Sequence, residues 1–366
     1  MSETDVPSVR PMLADLRRQS EALKALAARY PEFSNRGRTL VGNGKERIVA
    51  FGSGDGWFAA RAAADYARFD LGLPFEAASS LETLSYVAPR HVRDDIAAVA
   101  ISMSGSADRT NEAAQALRAD GKPVLALTNG SGGELARIAG AKISLDVADL
   151  APFLTGTTKY TATLLGLIML LEGAAGVAAP SWTAYLQALP RLLTEVEAFA
   201  QKLTERFVGR APTGVRILSA GPNLATAEYG MAKLIKLLPL PVWADEIEEF
   251  AHRQFWSCPA TDWVIYIVTN PAVARCASAS AAALGSMGMT TVAIDTPECA
   301  VTGATARFTL PSLPERLSPL FGAIPLQFIG YYLARAFGAN PDQSQEVGDP
   351  ARFRAAQLLA RRGELR

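Results

Sequence analysis

Residues 96–106 read Ile-Ala-Ala-Val-Ala-Ile-Ser-Met-Ser-Gly-Ser. The six apolar residues predict a buried strand of a parallel sheet, because both faces of such a strand are covered. The turn Ser102–Ser106 then leaves the carboxyl end of that strand, and Thr110–Leu117 predicts the helix that follows. Backbone N–H groups, serine hydroxyls and the helix dipole favour an anion at this place. The segment therefore predicts an α/β fold with a cradle for the phosphate of a small metabolite, although a plain turn has the same composition.

Length and composition narrow the class of protein. The 366 residues suffice for two domains, and 49% of them are hydrophobic, enough for large cores. A net charge of zero argues against nucleic acid, and the apolar stretch 162–171 is too short to span a membrane. The amino terminus lacks a signal sequence, and three cysteines without metal spacing predict a reducing cytoplasm. With His91 and His252 as the only histidines, a histidine-rich metal site is excluded, and His91 is expected at the surface.

The order of strand, glycine-rich turn and helix occurs twice along the chain. Strands are predicted at 47–51, 96–101, 123–127 and 142–147, and again at 215–219, 263–268, 290–294 and 306–310. Gly52 pairs with Gly221 and Gly121 with Gly288, so the offset between the halves is nearly constant. Short apolar strands that alternate with helices predict parallel sheets covered on both faces. The chain is therefore expected to be an α/β protein of two tandem, doubly wound units, with ligands beyond the carboxyl ends of the strands.

Helices flank the two units, and they set the expected domain boundaries. They are predicted at 16–29, 158–171, 182–207 and 324–337. The expected organisation is an amino-terminal helical segment (1–34), a first unit (35–180), a second unit (181–340) and a carboxyl-terminal tail (341–366). The apolar residues of the second predicted helix belong to the core or to an interface, and the core is the default expectation.

Five short motifs stand in a definite order: Ser102–Ser106, Thr128-Asn129, Thr157-Thr158-Lys159, Glu248–His252, and Pro325-Leu326-Gln327 through Pro341-Asp342-Gln343. In this order and spacing the chain resembles the tandem form of the SIS (sugar isomerase) family. That family includes the isomerase half of glucosamine-6-phosphate synthase and the fructosamine-6-phosphate deglycases. The resemblance covers about residues 35–350. The resemblance does not include the glutaminase half of glucosamine-6-phosphate synthase, so ammonia release from glutamine is not expected.

The resemblance implies that the first unit holds a sugar phosphate. Ser102 and Ser104 would bind the phosphate with backbone N–H groups of their turn, and Ser53 would lie near the same anion. The family usually has hydroxyl residues where Gly54 and Ala107 stand, so two phosphate contacts are missing here. Ser106 or Arg109 could compensate for them, and a sulfonate or another anion stays an alternative to phosphate. Thr157 would contact the sugar, and Lys159 matches a family lysine. The predicted substrate-binding residues are Ser53, Gly54, Ser102, Met103, Ser104, Ser106, Thr157, Lys159, Lys233 and Arg253.

The resemblance also implies acid–base chemistry at His252, which would open the sugar ring and is often lent by the neighbouring subunit. Glu249 stands in its usual place before that histidine, and Lys233 keeps a family lysine. Lys236 stands where the family has its glutamate base. A protonated lysine cannot abstract a proton, but a desolvated Lys236 could act as a base or Schiff-base nucleophile. A solvated helix face is the alternative, and Glu228, two turns earlier, could be the base instead.

Three functions stay open. The favoured one is an enzyme that removes the amine from, or isomerises, an anionic aminosugar or ketosamine, as a deglycase does. Arg253-Gln254 replaces the family's Gly-Pro, and Arg253 could hold a substrate carboxylate in a bidentate way. The alternatives are an aldose–ketose isomerase acting on a phosphorylated or sulfonated hexose, and a non-catalytic sugar-phosphate-binding regulator. The resemblance implies no metal or cofactor. A dinucleotide is not expected either, because the turn 52–56 lacks the dinucleotide-binding spacing. The resemblance implies a homodimer with shared sites and no nucleic-acid or membrane partner.

Overall fold

Two five-stranded parallel sheets form the frame of the molecule. The computed structural model describes residues 10–42, 47–90, 95–130, 132–151, 156–180, 182–206, 211–343 and 348–360. The first sheet contains β1 (Arg47–Gly52), β2 (Phe75–Ser79), β3 (Ile96–Ile101), β4 (Val124–Thr128) and β5 (Ala141–Ser144), in the order β2-β1-β3-β4-β5. Gly52 lies opposite Ile101, and Ile101 lies opposite Leu127. The carboxyl ends of the central strands therefore meet at one edge of the sheet, and β3 is buried at every position, as predicted.

The second sheet repeats the first. It contains β6 (Val215–Ser219), β7 (Val242–Glu246), β8 (Trp263–Val268), β9 (Thr290–Asp295) and β10 (Ala306–Thr309), in the order β7-β6-β8-β9-β10. Gly54 and Gly221 have φ of 56° and 58°, and Gly121 and Gly288 have φ of 75° and 81°. Both pairs are 167 residues apart (221 minus 54, and 288 minus 121). The predicted partner of Gly221 was therefore wrong, because Gly52 is the last residue of β1 and Gly54 is the one that turns the chain.

Two strands were not predicted from the sequence. They are β2, which reads Phe-Glu-Ala-Ala-Ser, and β7, which reads Val-Trp-Ala-Asp-Glu. Each stands at an end of its sheet and pairs with one neighbour only. An edge strand is partly exposed, so it carries charged residues and lacks the apolar run by which the inner strands were recognised.

The amino-terminal segment contains three helices, so the prediction of one helix over 16–29 was wrong. They are α1 (Pro11–Arg17), α2 (Gln19–Ala27) and α3 (Tyr30–Val41). A proline lies in the first turn of α1 and of α3, where a missing backbone N–H breaks no helical hydrogen bond. The prolines therefore mark new helix starts that hydrophobic periodicity does not reveal.

The remaining helices cover the sheets. In the first unit they are α4 (Asp55–Asp65), α5 (Ser80–Glu82), α6 (Asp108–Ala119), α7 (Glu134–Ile138) and α8 (Thr158–Ala174), with π-helical turns at Tyr66–Asp70 and Thr83–Val87. After it come α9 (Thr183–Leu186), α10 (Leu189–Arg206), α11 (Asn223–Leu237), α12 (Ile247–His252), α13 (Pro271–Ser286), α14 (Pro319–Ala336) and α15 (Pro350–Ala360). The predicted helix 182–207 is therefore divided into α9 and α10.

Helix α8 is buried around its whole circumference. Its apolar residues all lie in the core, as the default expectation had it: Leu164, Leu165, Leu167, Ile168 and Leu171. Helix α3 packs so closely on it that a Cβ atom at Gly37 would stand 1.9 Å from the Leu170 carbonyl oxygen. Among the described residues, no helix is long and apolar enough to cross a membrane.

One carboxyl group lies inside this core. Glu172 on α8 is fully buried, and it accepts hydrogen bonds from the Tyr66 hydroxyl at 2.7 Å and from the Trp182 indole N–H at 2.9 Å. Burial raises the pKa of the Glu172 carboxyl, and the hydrogen bonds oppose that rise. Both donors are neutral, so no positive charge offsets the burial that raises this pKa.

Candidate functional site

The serine-rich turn after β3 has a fixed backbone. Gly105 has a φ of 65°, which a residue without a side chain adopts readily, and its N–H donates to the Ser102 carbonyl at 3.1 Å. A Cβ atom on Gly105 would meet the Cα of Gly133 at 3.1 Å. The Gly105 carbonyl accepts from the Leu135 N–H at 2.9 Å, so the start of α7 holds the turn in place.

Two of the three serine side chains of this turn are exposed to solvent. Ser104 and Ser106 are exposed, and the Ser106 hydroxyl and N–H donate to the Ser104 hydroxyl at 2.9 and 3.2 Å. Ser53 and Gly54 are exposed at the end of the adjacent strand β1. An anion at this edge of the sheet would meet hydroxyl groups from two strand ends and the amino ends of two helices. These four residues therefore form the part of the predicted site that a phosphate can reach.

Two other residues of the predicted cradle face inward. Ser102 is 7% exposed, and its N–H donates to the Leu127 carbonyl at 3.1 Å. Met103 packs against the core, with its sulfur atom 2.9 Å from the Thr163 hydroxyl. The side chain of Met103 is thus directed away from the exposed serines, and only the backbone of the turn passes through the candidate site at this position.

The corresponding turn of the second unit is filled by the protein's own side chains. The Asn223 side-chain amide donates to the Thr269 hydroxyl at 2.9 Å and to the Ser318 hydroxyl at 2.6 Å. All three groups belong to residues that are buried or half-buried. The duplication therefore leaves an open, hydroxyl-lined turn only in the first unit, among the described residues.

Lys233 joins the two units and does not face an open site. Its ammonium nitrogen lies 2.6 Å from both carboxylate oxygens of Asp55, and the lysine side chain is 2% exposed. Burial lowers the pKa of Lys233, while the Asp55 carboxylate raises it and Lys236 lowers it further. The charge of Lys233 is thus paired within the protein, and its contact with a substrate stays a prediction.

An aromatic stack lies beside this ion pair. The rings of Tyr160 on α8 and Tyr229 on α11 are 3.6 Å apart and nearly parallel. The Tyr229 hydroxyl donates to the Gly156 carbonyl at 3.0 Å and accepts from the Gln327 amide at 2.9 Å. The ion pair and the stack together fix helix α11 against the first unit.

The predicted sugar contacts at the start of α8 are also paired within the protein. Thr157 is 1% exposed, and its hydroxyl donates to the Asp15 carboxylate. That carboxylate also accepts from the Thr158 N–H at 3.1 Å. The Lys159 ammonium group pairs with Asp149. Thr157 is therefore buried under the amino-terminal helices, which the sequence could not reveal, because Asp15 lies more than a hundred residues away along the chain.

His252 lies exposed at the last turn of α12. Its Nε2 atom is 3.5 Å from the Glu248 carboxylate, one helical turn earlier. Glu249, the predicted partner, instead lies 3.7 Å from the guanidinium group of Arg253. Both side chains of the His252–Glu248 contact are largely exposed, so the imidazole is open to solvent. His91, the other histidine, lies outside the described residues.

The candidates for the base differ in their environments. Lys236 is exposed near the end of α11, so its ammonium group is not desolvated there. Glu228 pairs with Arg61 of the first unit. Lys233 is buried in the way that was expected of Lys236. The sequence analysis did not identify Asp55, which is the ion-pair partner of Lys233. The signal for Asp55 was its place directly after Gly54, at the start of a helix where an acid is favoured.

The structure thus gathers some of the predicted residues into two groups. One is the serine turn with Ser53 and Gly54. The other surrounds a cleft of about 380 Å³ in the second unit, lined by Leu224, Glu228, Ala244, Asp245, Glu246, Arg253 and Gln254. Within the described ranges, no hydrogen bond or ion pair joins His252 to the serine turn.

Comparison with known proteins identifies the first unit. Residues 43–172 match the family model of the SIS domain. The first unit is a SIS domain. The expected resemblance is thereby confirmed, and the second unit repeats the strand order of this SIS domain.

One curated relative is similar over most of the chain. It is the glutamine–fructose-6-phosphate aminotransferase of Pyrobaculum aerophilum, which is 25% identical over 266 residues. The aligned segment makes up 70% of this chain but only 43% of that protein. The chain therefore matches less than half the length of this relative.

Solved structures share the fold of both units. The C-terminal domain of glucosamine-fructose-6-phosphate aminotransferase from Francisella tularensis has a TM-score of 0.74 at 16% identity, covering 92% of this chain and 98% of that one. Glucosamine-6-phosphate deaminase from Thermotoga maritima has a TM-score of 0.74 at 15% identity, covering 92% and 97%. Tagatose-6-phosphate ketose/aldose isomerase from Escherichia coli has a TM-score of 0.70 at 15% identity, covering 90% and 93%. At these identities the likeness shows the fold, two SIS-type α/β units in tandem.

Proposed function

We propose that the SIS domain of residues 43–172 binds the phosphate group of a phosphosugar at the turn Ser102–Ser106. The observation that carries this proposal is the exposure of the Ser104 and Ser106 hydroxyls beside Ser53, at a turn that the described residues leave open. Hydroxyl and amide donors at a helix amino end bind a dianion without a full counter-charge. A sulfonate would be held by the same donors.

The proposed reaction removes the amine from an anionic ketosamine or aminosugar. His252 would take the proton of the ring hydroxyl and return it to the ring oxygen, which opens the ring. A proton shift between C1 and C2 of the open chain then converts the amine-bearing carbon into an imine. Water adds to that carbon, the carbon–nitrogen bond breaks, the amine leaves with a proton taken from the water, and a carbonyl group stays on the sugar. The exposed imidazole is available to a second copy of the chain, so we propose a homodimer in which each copy lends His252 to the other copy's serine turn.

The decisive experiment follows three phosphosugars in deuterated water by mass spectrometry: fructose 6-phosphate, glucosamine 6-phosphate and a fructosamine 6-phosphate. Release of amine that is lost in His252→Ala supports the proposed reaction. A matched control, Glu248→Gln, keeps the imidazole and is expected to retain part of the activity. If no variant or wild-type sample binds any of the three compounds, the phosphate site itself is refuted.

The shared site has its own test. Ser104→Ala and His252→Ala are each expected to reduce activity when prepared alone. Mixing the two variants would restore part of the activity, because a mixed dimer contains one site with both residues intact. Absence of any recovery after subunit exchange would contradict the lending of His252 between copies.

A non-catalytic regulator is the second candidate, and one observation favours it. Neither base candidate on α11 has the environment of a base, since Lys236 is exposed and Glu228 is paired with Arg61. In the same assay this function predicts binding of a phosphosugar without amine release and without deuterium at C2. Deuterium at C2 without amine release would instead indicate an aldose–ketose isomerase.

A further inference from the structure

The start of helix α8 borders the proposed phosphosugar site. Gly156, the second residue before the helix, packs so closely on Asp55 that a Cβ atom there would stand 2.7 Å from the aspartate Oδ2 atom. Asp55 directly follows Gly54, at the exposed end of β1. In the second turn of α8, the Thr163 hydroxyl lies 2.9 Å from the sulfur atom of Met103 in the serine turn. Helix α8 thus contacts both of the strand ends that form the site.

This helix start is capped by a residue from another helix. The hydroxyl of Thr157, the residue before α8, donates to the carboxylate of Asp15 on α1. The same carboxylate oxygen accepts from the Thr158 N–H at 3.1 Å, and the Asp15 carbonyl accepts from the Thr158 hydroxyl at 2.6 Å. An acidic group at a helix amino end satisfies an unpaired N–H and is favoured by the helix dipole, so Asp15 fixes where α8 begins.

Asp15 is itself held in place. Its second carboxylate oxygen accepts from the Nε atom of Arg18 at 3.0 Å, and Arg18 also donates to the Ala148 carbonyl. The Asp15 side chain is 13% exposed, so little of it reaches water. A carboxylate with a charged donor on one oxygen and two neutral donors on the other keeps one orientation. Its position can therefore determine the position of the helix start that it caps.

The second unit holds the same segment by its carbonyl groups. The Tyr229 hydroxyl donates to the Gly156 carbonyl at 3.0 Å. The Gln327 amide donates to the Thr157 carbonyl at 3.4 Å, and the Gln327 side-chain oxygen accepts from the Gln19 amide of α2 at 2.9 Å. The second unit thus binds carbonyl groups, whereas α1 binds the hydroxyl and N–H donors of the segment. Loss of the contact with α1 would leave one side of the helix start unsupported.

We infer that Asp15 is a positioning residue of the phosphosugar site: it holds the start of α8 in place through Thr157 and Thr158 and does not touch the substrate. This inference rests on the proposed function, because it concerns the site at the turn Ser102–Ser106. Asp15 lies outside residues 43–172, which match the SIS domain. The amino-terminal helices therefore belong to the functional unit of this chain, although the matched domain begins after them.

Calorimetric titration of Asp15→Ala with fructose 6-phosphate tests this role. Without the cap, the start of α8 occupies its binding-competent position for only part of the time, so the affinity should fall about five- to tenfold. Asp15→Asn keeps an acceptor oxygen and should lose less affinity. Asp342→Ala is the matched control, because the Asp342 carboxylate accepts from the Met12 N–H at 2.9 Å and so supports the start of α1. It should bind within about twofold of the wild type.

Hydrogen exchange followed by mass spectrometry supplies a readout that needs no ligand. The amides of residues 158–161 should exchange about fivefold faster in Asp15→Ala than in the wild type, because the cap no longer opposes opening of the first turn of α8. In Asp342→Ala they should exchange at the wild-type rate. Circular dichroism verifies that the variants are folded, and Asp15→Asn supplies the same measurements if Asp15→Ala does not fold.

Three results would overturn the positioning role. They are equal binding of fructose 6-phosphate by Asp15→Ala and the wild type, an equal loss of binding in Asp342→Ala, and unchanged exchange of these amides in Asp15→Ala. In each of these cases a loss of binding in Ser104→Ala would leave the proposed function standing. If the wild type binds none of the three phosphosugars, the proposed function and the positioning role are both refuted, whatever the exchange rates.

Discussion

Removal of either charge of the Asp55–Lys233 pair should destabilise the protein, and by unequal amounts. The pair joins helix α4 of the first unit to helix α11 of the second, with the lysine side chain 2% and the aspartate side chain 22% exposed. In Asp55→Asn, a buried ammonium group loses its partner, and breaking a buried pair in this way costs about 3–5 kcal/mol. In Lys233→Met, the remaining carboxylate keeps some access to water, so we expect a smaller loss of about 1–3 kcal/mol.

The loss in Asp55→Asn should depend on pH. Burial already lowers the pKa of Lys233, and removing Asp55 removes the group that raises it. Between this lowered pKa and the ordinary lysine value of about 10.4, the unfolded chain binds more protons than the folded one, so stability rises with pH. The stability difference from the wild type should therefore shrink as the pH rises toward the ordinary lysine value, by at most about 1.4 kcal/mol per pH unit.

Urea unfolding of the wild type, both single variants and the double variant measures these quantities. The double variant has no charge at either position, so it should be more stable than the sum of the single losses predicts, with a coupling of about 1–3 kcal/mol. It should also lack the recovery at high pH. Single losses below about 1 kcal/mol that add without coupling would refute the buried ion pair as a link between the units.

Three further predictions concern single sites. Ser104→Ala with Ser106→Ala should weaken fructose 6-phosphate binding about tenfold or more in calorimetry without loss of stability, because a hydrogen bond to a charged group contributes about 1.5–3 kcal/mol. Gly54→Ala should cost about 1–3 kcal/mol in urea unfolding, because its φ of 56° strains any side chain, whereas Gly130→Ala, also with open space, should be neutral. The pKa of Glu172 is raised, so the wild type loses folding stability as the pH rises through that pKa. Glu172→Gln should therefore be at least as stable as the wild type at pH 7. Glu172→Leu should be less stable than the wild type, since two buried donors lose their acceptor.

Patterns within short stretches predicted much of this molecule correctly. The inner strands were recognisable because burial on both faces demands a continuous apolar run, as in Ile96–Ile101 and Trp263–Val268. The turn at 102–106 was recognisable because serine and glycine follow such a run directly. Two of the four edge strands, β2 and β7, were missed for the converse reason, since one exposed side admits charged residues and removes the pattern.

The candidate site was predicted less well than the fold. Thr157 and Lys233 were expected to face a substrate, yet both are buried and paired, with Asp15 and Asp55 as their partners. Each of these partners lies far away along the chain, so no local pattern announces the contact.

The sequence by itself determined the class of fold, the duplication and the position of the hydroxyl-rich turn, since each depends on residues that are neighbours along the chain. Only the tertiary structure decided which polar groups stay available. Ser104 and Ser106 remain exposed, whereas the Thr269 hydroxyl in the turn after β8 is closed off by Asn223 and Ser318. The physical reason is that a polar side chain in a folded protein is satisfied by whatever group the packing brings within about 3 Å, and that group is usually distant in sequence.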